Sequence, residues 1–187
     1  MTDQVTTQRW DGNGAAVQLD AILAAYEEVY AEPPYLEGPR DVADFIDRFH
    51  RQTERQGFRL AVARDGTEVV GFTFGYRLPP DTQWWRGLLR PASKEFTRET
   101  GNRTFVIIEL AVRKPWRQRG IARKLHFDLI EGLEVERVTL TMRPEPEAKP
   151  AQFAYASWGY QMVGQSRPWD EAPLYNSMVL NLKVANP

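Results

Sequence analysis

Hydrophobic residues first recur at helical spacing near the start of the chain. Val17, Ile22, Leu23, Tyr26, Val29 and Tyr30 form one broad stripe that ends at Glu32-Pro33-Pro34, which predicts a helix over Val17–Tyr30. Val42, Phe45, Ile46 and Phe49 predict a second over Asp41–Gln56, with Pro39 at its boundary. The period then changes. Phe58–Arg64 and Glu68–Arg77 read as strands, and the Asp65-Gly66 between them signals a hairpin, so they should pair antiparallel. Residues 78–101 break this pattern with Pro79-Pro80, Trp84-Trp85, Leu88-Leu89 and Phe96, as a loop carrying a helix does.

Phe105–Val112 is almost continuously apolar, with Glu109 as its one charge, and this suits a strand covered on both faces. Ile121–Leu133 turns Ile121, Leu125, Leu129, Ile130 and Leu133 to one side, and Arg137–Met142 is again strand-like. Strand, helix and strand in succession predict a βαβ unit with a right-handed connection. Ala148–Trp158 is helix-like and closes at Gly159. Tyr160–Gln165 and Ser177–Leu182 are two further strands, joined through Pro168 and Pro173, and the whole is a mixed α/β fold.

A length of 187 residues suits one domain spanning residues 1–187, and 42% hydrophobic with 26% charged residues is an ordinary globular balance. The formal charge of -1 supplies no global field for nucleic acid or an anionic membrane. Cysteine is absent, which removes disulfides, thiolate nucleophiles and cysteine-based zinc sites, and the two histidines, His50 and His126, sit far apart, so no metal is expected. The start of the chain has no secretory pattern and no apolar run is long enough to span a bilayer, so the expected location is the cytoplasm.

One local feature carries chemistry. Between the apolar strand and its following helix lies Arg117-Gln118-Arg119-Gly120-Ile121-Ala122. A helix N-terminus presents N–H groups without intrahelical partners and a partial positive charge, so a diphosphate can bind there, and glycine lets it approach the backbone. Arg113, Lys114, Arg117, Arg119, Arg123 and Lys124 crowd the same stretch, either as a solvated basic helix start or as further phosphate contacts.

Glu109-Leu110-Ala111-Val112 followed by Arg117-x-x-Gly120-x-Ala122 resembles the acetyl-CoA motif Q/R-x-x-G-x-G/A of the GNAT acyltransferase superfamily, in the strand–turn–helix context the motif needs. Ala151-x-x-Ala154-Tyr155-x-x-x-Gly159-Tyr160 resembles the family's A-x-x-F/L-Y-x-x-x-G-F segment. The departures are Ala154, where a larger apolar residue is usual, and the proline-rich stretch Pro144–Pro150. The resemblance implies a mixed, mostly antiparallel sheet of about six to seven strands flanked by helices. That sheet would be splayed between its fourth and fifth strands, here Phe105–Val112 and Arg137–Met142. It also implies acetyl-CoA as co-substrate. The backbone of Leu110, Ala111 and Val112 would pair with the pantetheine arm, and the amides of Gln118, Arg119, Gly120, Ile121, Ala122 and Arg123 with the diphosphate.

Acyl transfer to an amine needs a base for the amine and an acid for the departing thiolate. Tyr155 stands where the family keeps its general acid, with helix packing as its alternative role. Glu109 is either a base acting through water or a salt-bridged or surface carboxylate. His126 is expected on the helix face away from the sheet. Trp84 and Trp85 either pack as core or line the acceptor pocket, and Asp170 and Glu171 lie in the Pro168–Pro173 connection beside the acceptor site that the resemblance implies. The expected reaction is acetylation of a small-molecule amine, with no nucleic-acid or membrane partner and with a homodimer as an open assembly. Acetylation of a protein N-terminus or lysine, or a non-catalytic acyl-CoA-binding regulatory module, are the alternatives.

Overall fold

A computed structural model describes residues 5–182 of the chain. Seven strands form one sheet: β1 (Thr6–Asp11), β2 (Arg59–Asp65), β3 (Glu68–Arg77), β4 (Thr104–Val112), β5 (Arg137–Met142), β6 (Gln161–Ser166) and β7 (Tyr175–Asn181). Their order is β1-β2-β3-β4-β5-β7-β6. The helices are α1 (Gly12–Ala16), α2 (Leu19–Tyr30), α3 (Pro39–Thr53), α4 (Lys94–Thr97), α5 (Ile121–Ile130) and α6 (Lys149–Ser157). β1 with β2, β2 with β3, β5 with β7 and β6 with β7 are antiparallel, whereas β4 and β5 are parallel. This is the mixed, mostly antiparallel sheet expected from the sequence. β4 and β5 are in register only over Thr104–Val106 and Arg137–Thr139, the first three residues of each, which is the short pairing that a splay between them requires.

The chain forms two compact units, one made of residues up to Tyr76 with Ile107–Leu133, the other of Arg77–Val106 with Glu134 onward. In the first, α2 and α3 lay Ile22, Tyr26, Phe45 and Phe49 against Phe58, Leu60, Phe72 and Phe74 of the sheet side, all nearly or fully buried. The rings interlock: Tyr26 stacks on Phe45 at 3.7 Å between centroids, and Phe49 meets Phe74 edge-on at 5.2 Å. Each buried ring of this kind contributes about 1.5–3 kcal/mol. At Gly71 an added Cβ would lie 2.8 Å from the Ala111 carbonyl oxygen and 3.1 Å from Leu125, so glycine is what lets β3, β4 and α5 close together.

Two arginines cap the other end of α5. Arg9 Nη1 donates to the carbonyls of Asp128 at 2.7 Å and Glu131 at 3.2 Å, and Arg59 Nη1 to those of Leu129 at 3.1 Å and Glu131 at 2.8 Å. They satisfy orphan carbonyls and oppose the negative end of the helix dipole. The strand that carries Arg9 was not expected, because Thr-Thr-Gln-Arg-Trp-Asp has little apolar alternation; β1 exists as an edge strand held by its ladder to β2. Val17 also departs from expectation. It is 76% exposed, since α2 begins at Leu19 and Val17 falls in the bend between α1 and α2.

The second unit is organised by a buried ion pair. Arg137 and Glu99 meet at 2.9 Å with side chains 4% and 0% exposed. The same Glu99 oxygen accepts from Trp85 Nε1 at 2.9 Å and Thr104 Oγ1 at 2.8 Å. Arg137 also donates to Thr104 Oγ1 and the Phe96 carbonyl, and its guanidinium lies over the Trp85 and Phe96 rings at 4.9 and 4.4 Å. The segment between β3 and β4, which reads as irregular, is fixed to β4 and β5 by this network.

Candidate active site

β4 ends at Val112, and the chain passes through a 3-10 turn, Lys114–Trp116, before entering α5. Gln118 and Gly120 both have left-handed backbone, at φ +62° and +77°, and Gly120 is the N-cap. The helical ladder starts with Lys124 N–H donating to the Gly120 carbonyl at 3.0 Å, so the amides of Ile121, Ala122 and Arg123 precede it and point out of the positive end of the helix. An added Cβ on Gly120 would meet no protein atom within 4 Å. Glycine is therefore favoured here by its positive φ, and the approach to the amides stays open. A cavity of about 270 Å³ adjoins the turn, lined by Val5, Thr7, Arg119, Gly120, Ile121 and Lys124. These residues fit a diphosphate-bearing cofactor: backbone donors, a guanidinium and an ammonium converge with no side chain over Gly120.

Much of the basic cluster nevertheless has internal partners. Arg113 Nε donates to Glu28 at 2.6 Å, its Nη1 donates to Glu68, and its guanidinium lies 5.2 Å over the Trp116 ring. Arg117 grips Glu32 with both terminal nitrogens, at 2.8 and 3.0 Å, and gives Nε to the Val112 carbonyl at 2.8 Å. Lys124 pairs with Asp128 at 2.8 Å. Such partly exposed pairs contribute about 0–1 kcal/mol each, so their larger effect is to fix the turn against α2 and its following loop. Two of these acids, Glu28 and Glu32, lie 85 residues away from their partners, and nothing in the local sequence of the turn announces them.

Glu109 occupies the middle of β4. Its backbone carbonyl accepts from Thr73 Oγ1 at 2.7 Å, and its Oε2 accepts from the Tyr30 hydroxyl. Burial pushes the carboxyl up to about 7; the Tyr30 hydrogen bond and the charge of Arg48 pull it down, while the charge of Glu37 pushes it further up. It can therefore take up and release a proton near neutrality. Tyr26 donates in the same way to Glu37. Tyr26 and Tyr30 read in the sequence as members of an apolar stripe, and the available signal was that tyrosine, with a hydroxyl to satisfy, stood at two buried positions of α2.

In the second unit, Tyr155 is buried on α6, with Trp158 and Tyr160 set edge-on to its ring at 5.3 and 5.5 Å. Gly159, at φ +97°, closes that helix. Trp85 is buried in the Glu99–Arg137 network and Trp84 beside it is half-buried. Asp170 and Glu171 are exposed in the connection between β6 and β7.

His126 requires a correction. It faces inward and is 0% exposed, because α5 turns the Leu125, His126 and Leu129 side toward the sheet. Burial, with the nearby Arg123 charge, pushes it down to about 4, so it is neutral at pH 7. The unfolded chain protonates this histidine near 6.5 and the folded one near 4, so stability should fall as pH drops through that window, by about 2 kcal/mol at pH 5 relative to pH 7. Urea denaturation of the parent and His126→Leu at both pH values should show a smaller pH 7-to-5 loss in the variant.

The sequence matches the model of the acetyltransferase (GNAT) family over residues 21–160. The chain belongs to the GNAT acetyltransferase family. No curated protein matches it. Solved structures that share its fold include PH1933 from Pyrococcus horikoshii OT3, with TM-score 0.67, 18% identity, and coverage of 96% of this chain and 99% of that one. They also include yncA from Salmonella typhimurium, solved with its cofactor acetyl-CoA, with TM-score 0.59, 14% identity, and 98% of each chain covered. A ribosomal-protein-alanine N-acetyltransferase from Brucella melitensis has TM-score 0.57 and 18% identity, covering 95% of this chain and 99% of that one. Among the described residues no helix is long and apolar enough to cross a membrane, and no group of three or more His, Cys, Asp or Glu is placed to hold a metal ion.

Proposed function

We propose that this chain is an acetyl-CoA-dependent N-acetyltransferase, one catalytic domain acting in the cytoplasm, that transfers the acetyl group directly to the amine of a small molecule within a ternary complex. The observation that carries the reading is Glu109: a carboxyl with proton affinity about 7, three positions or fewer along β4 from the backbone proposed to face the cofactor arm. When bound, acetyl-CoA supplies a thioester open to attack by a neutral amine. The amides of Gln118, Arg119, Gly120, Ile121, Ala122 and Arg123, with the Arg117 end of the turn braced by Glu32, hold its diphosphate, and Leu110, Ala111 and Val112 hold its pantetheine arm by backbone hydrogen bonds. An ordinary alkylamine is protonated at neutral pH, and ionised Glu109 accepts that proton directly or through a water. Tyr155 keeps a proton on its phenol oxygen for the departing thiolate.

The proposed acceptor is a small-molecule amine. Trp84, Trp85, Asp170 and Glu171 are candidates for contacts on the acceptor side, with Trp85 the weakest because it is committed to the core. The Brucella neighbour's name favours the second reading, acetylation of a protein N-terminus. The deciding experiment measures coenzyme A release with a panel of small amines and, separately, peptides. Small amines should be turned over, with kcat about 10²-fold lower in Tyr155→Phe and coenzyme A binding retained. Release with peptides alone supports protein acetylation, and cofactor binding without release for any acceptor leaves a non-catalytic module.

A further inference from the structure

We propose that Tyr30 is a positioning residue of the transfer reaction: its hydroxyl fixes one carboxylate oxygen of Glu109 and thereby turns the other toward the acceptor's proton. The proposal rests on the reading of Glu109 as the base. Its warrant is a geometry that leaves the pair no freedom. Tyr30 is 7% exposed at the end of α2, and its ring is held between Tyr26, at 4.6 Å and 38°, and Tyr35, at 4.9 Å and 69°. Its backbone is held as well, because the Tyr30 carbonyl accepts from Glu37 N–H at 2.8 Å. At the other end of the contact, Thr73 Oγ1 fastens the Glu109 carbonyl on β4. A hydroxyl anchored on both sides of its ring, donating to a carboxylate whose strand is itself pinned, sets the carboxylate plane rather than following it.

The groups around Glu109 also divide by direction. From α2, Tyr30 donates a hydrogen bond that favours the ionised form; from α3, Arg48 favours it by charge; from the loop after α2, Glu37 opposes it by like charge and is itself held by the Tyr26 hydroxyl. Tyr30 is buried and adjacent to Glu109, which pushes its own phenol well above its ordinary value, so it remains a donor throughout the working range. Removing its hydroxyl should therefore do two separable things. It should raise the pH at which Glu109 ionises, and it should leave the ionised carboxylate less well oriented.

The test reads Glu109 directly. In protein carrying ¹³C at its glutamate carboxyls, the Glu109 signal is identified by its loss in Glu109→Gln and followed by NMR through pH. Tyr30→Phe should raise the midpoint by about one pH unit. Glu37→Gln, whose amide oxygen still accepts from Tyr26, should lower it. In the rate profile the acid limb should move with the midpoint, and above both midpoints Tyr30→Phe should retain a deficit in kcat of about tenfold with KM unchanged. A packing role would move neither the midpoint nor the limb. An unmoved midpoint in Tyr30→Phe overturns the role of Tyr30 alone, whereas an acid limb that survives Glu109→Gln overturns the base reading and this role with it. Should Tyr30→Phe not fold, 3-fluorotyrosine in place of Tyr30 keeps the ring and makes a stronger donor. The midpoint should then fall, and one that stays in place overturns the proposal.

Discussion

Arg137→Ala is expected to lower folding stability by about 3–5 kcal/mol, because it leaves Glu99 as a buried carboxylate without its cation. Glu99 Oε1 would keep Trp85 and Thr104 as donors, but Glu99 Oε2 is already buried without a hydrogen-bond partner among the described residues, so little remains to offset the charge. The guanidinium also packs over the Trp85 and Phe96 rings, which meet edge-on at 5.1 Å, and alanine would vacate its place. The loss therefore adds a cavity to an unpaired charge. A double replacement, Glu99→Leu with Arg137→Met, removes both charges at similar volume and should cost far less than either single truncation. Urea denaturation midpoints at constant m-value report this. A double variant as unstable as Arg137→Ala would mean that packing, and not the unpaired charge, sets the cost.

Gly120→Glu should abolish detectable coenzyme A binding while leaving the protein folded. The argument joins three features of the turn. At φ +77° any side chain adds strain on the order of 1 kcal/mol, but a Cβ there meets no protein atom, so the fold has room for it. A carboxylate at the N-cap of α5 also recovers about 0.3–1 kcal/mol from the helix dipole. It does so by occupying the amides of Ile121, Ala122 and Arg123 and by placing negative charge where the diphosphate must lie. Gly120→Ala, carrying the strain without the charge, should bind with affinity close to the parent's. Calorimetry on the three proteins separates these effects. Unchanged coenzyme A binding in Gly120→Glu would remove this turn from the cofactor site.

The elements that were legible in the sequence are those whose cause is local. The Asp65-Gly66 hairpin sits where β2 and β3 turn, with Asp65 opposite Glu68, because the turn dipeptide and the flanking alternation specify the register together. α3 begins at Pro39 and buries Phe45 and Phe49, as their spacing demands. The left-handed Gly120 between an apolar strand and an amphipathic helix follows from six consecutive residues, and that is why the glycine turn could be found from the sequence. β1 shows the opposite case. Its residues have no apolar period, and it is a strand only because β2 offers a free edge.

By itself, then, the sequence determined the βαβ unit, the order of helices and strands from α2 onward, the glycine turn and the two family motifs. All of these depend on backbone preferences and periodicities that act over a few residues. The tertiary structure alone decided what the polar side chains do. His126 became a buried neutral imidazole, because one residue's rotation around α5 sets which side it faces. Arg117 became a brace for Glu32, and burial raised the proton affinity of Glu109 to near neutrality while the hydroxyl of Tyr30, 79 residues away, pulled it back. Charge and proton affinity depend on distance and desolvation in space, and the chain encodes those only after it has folded.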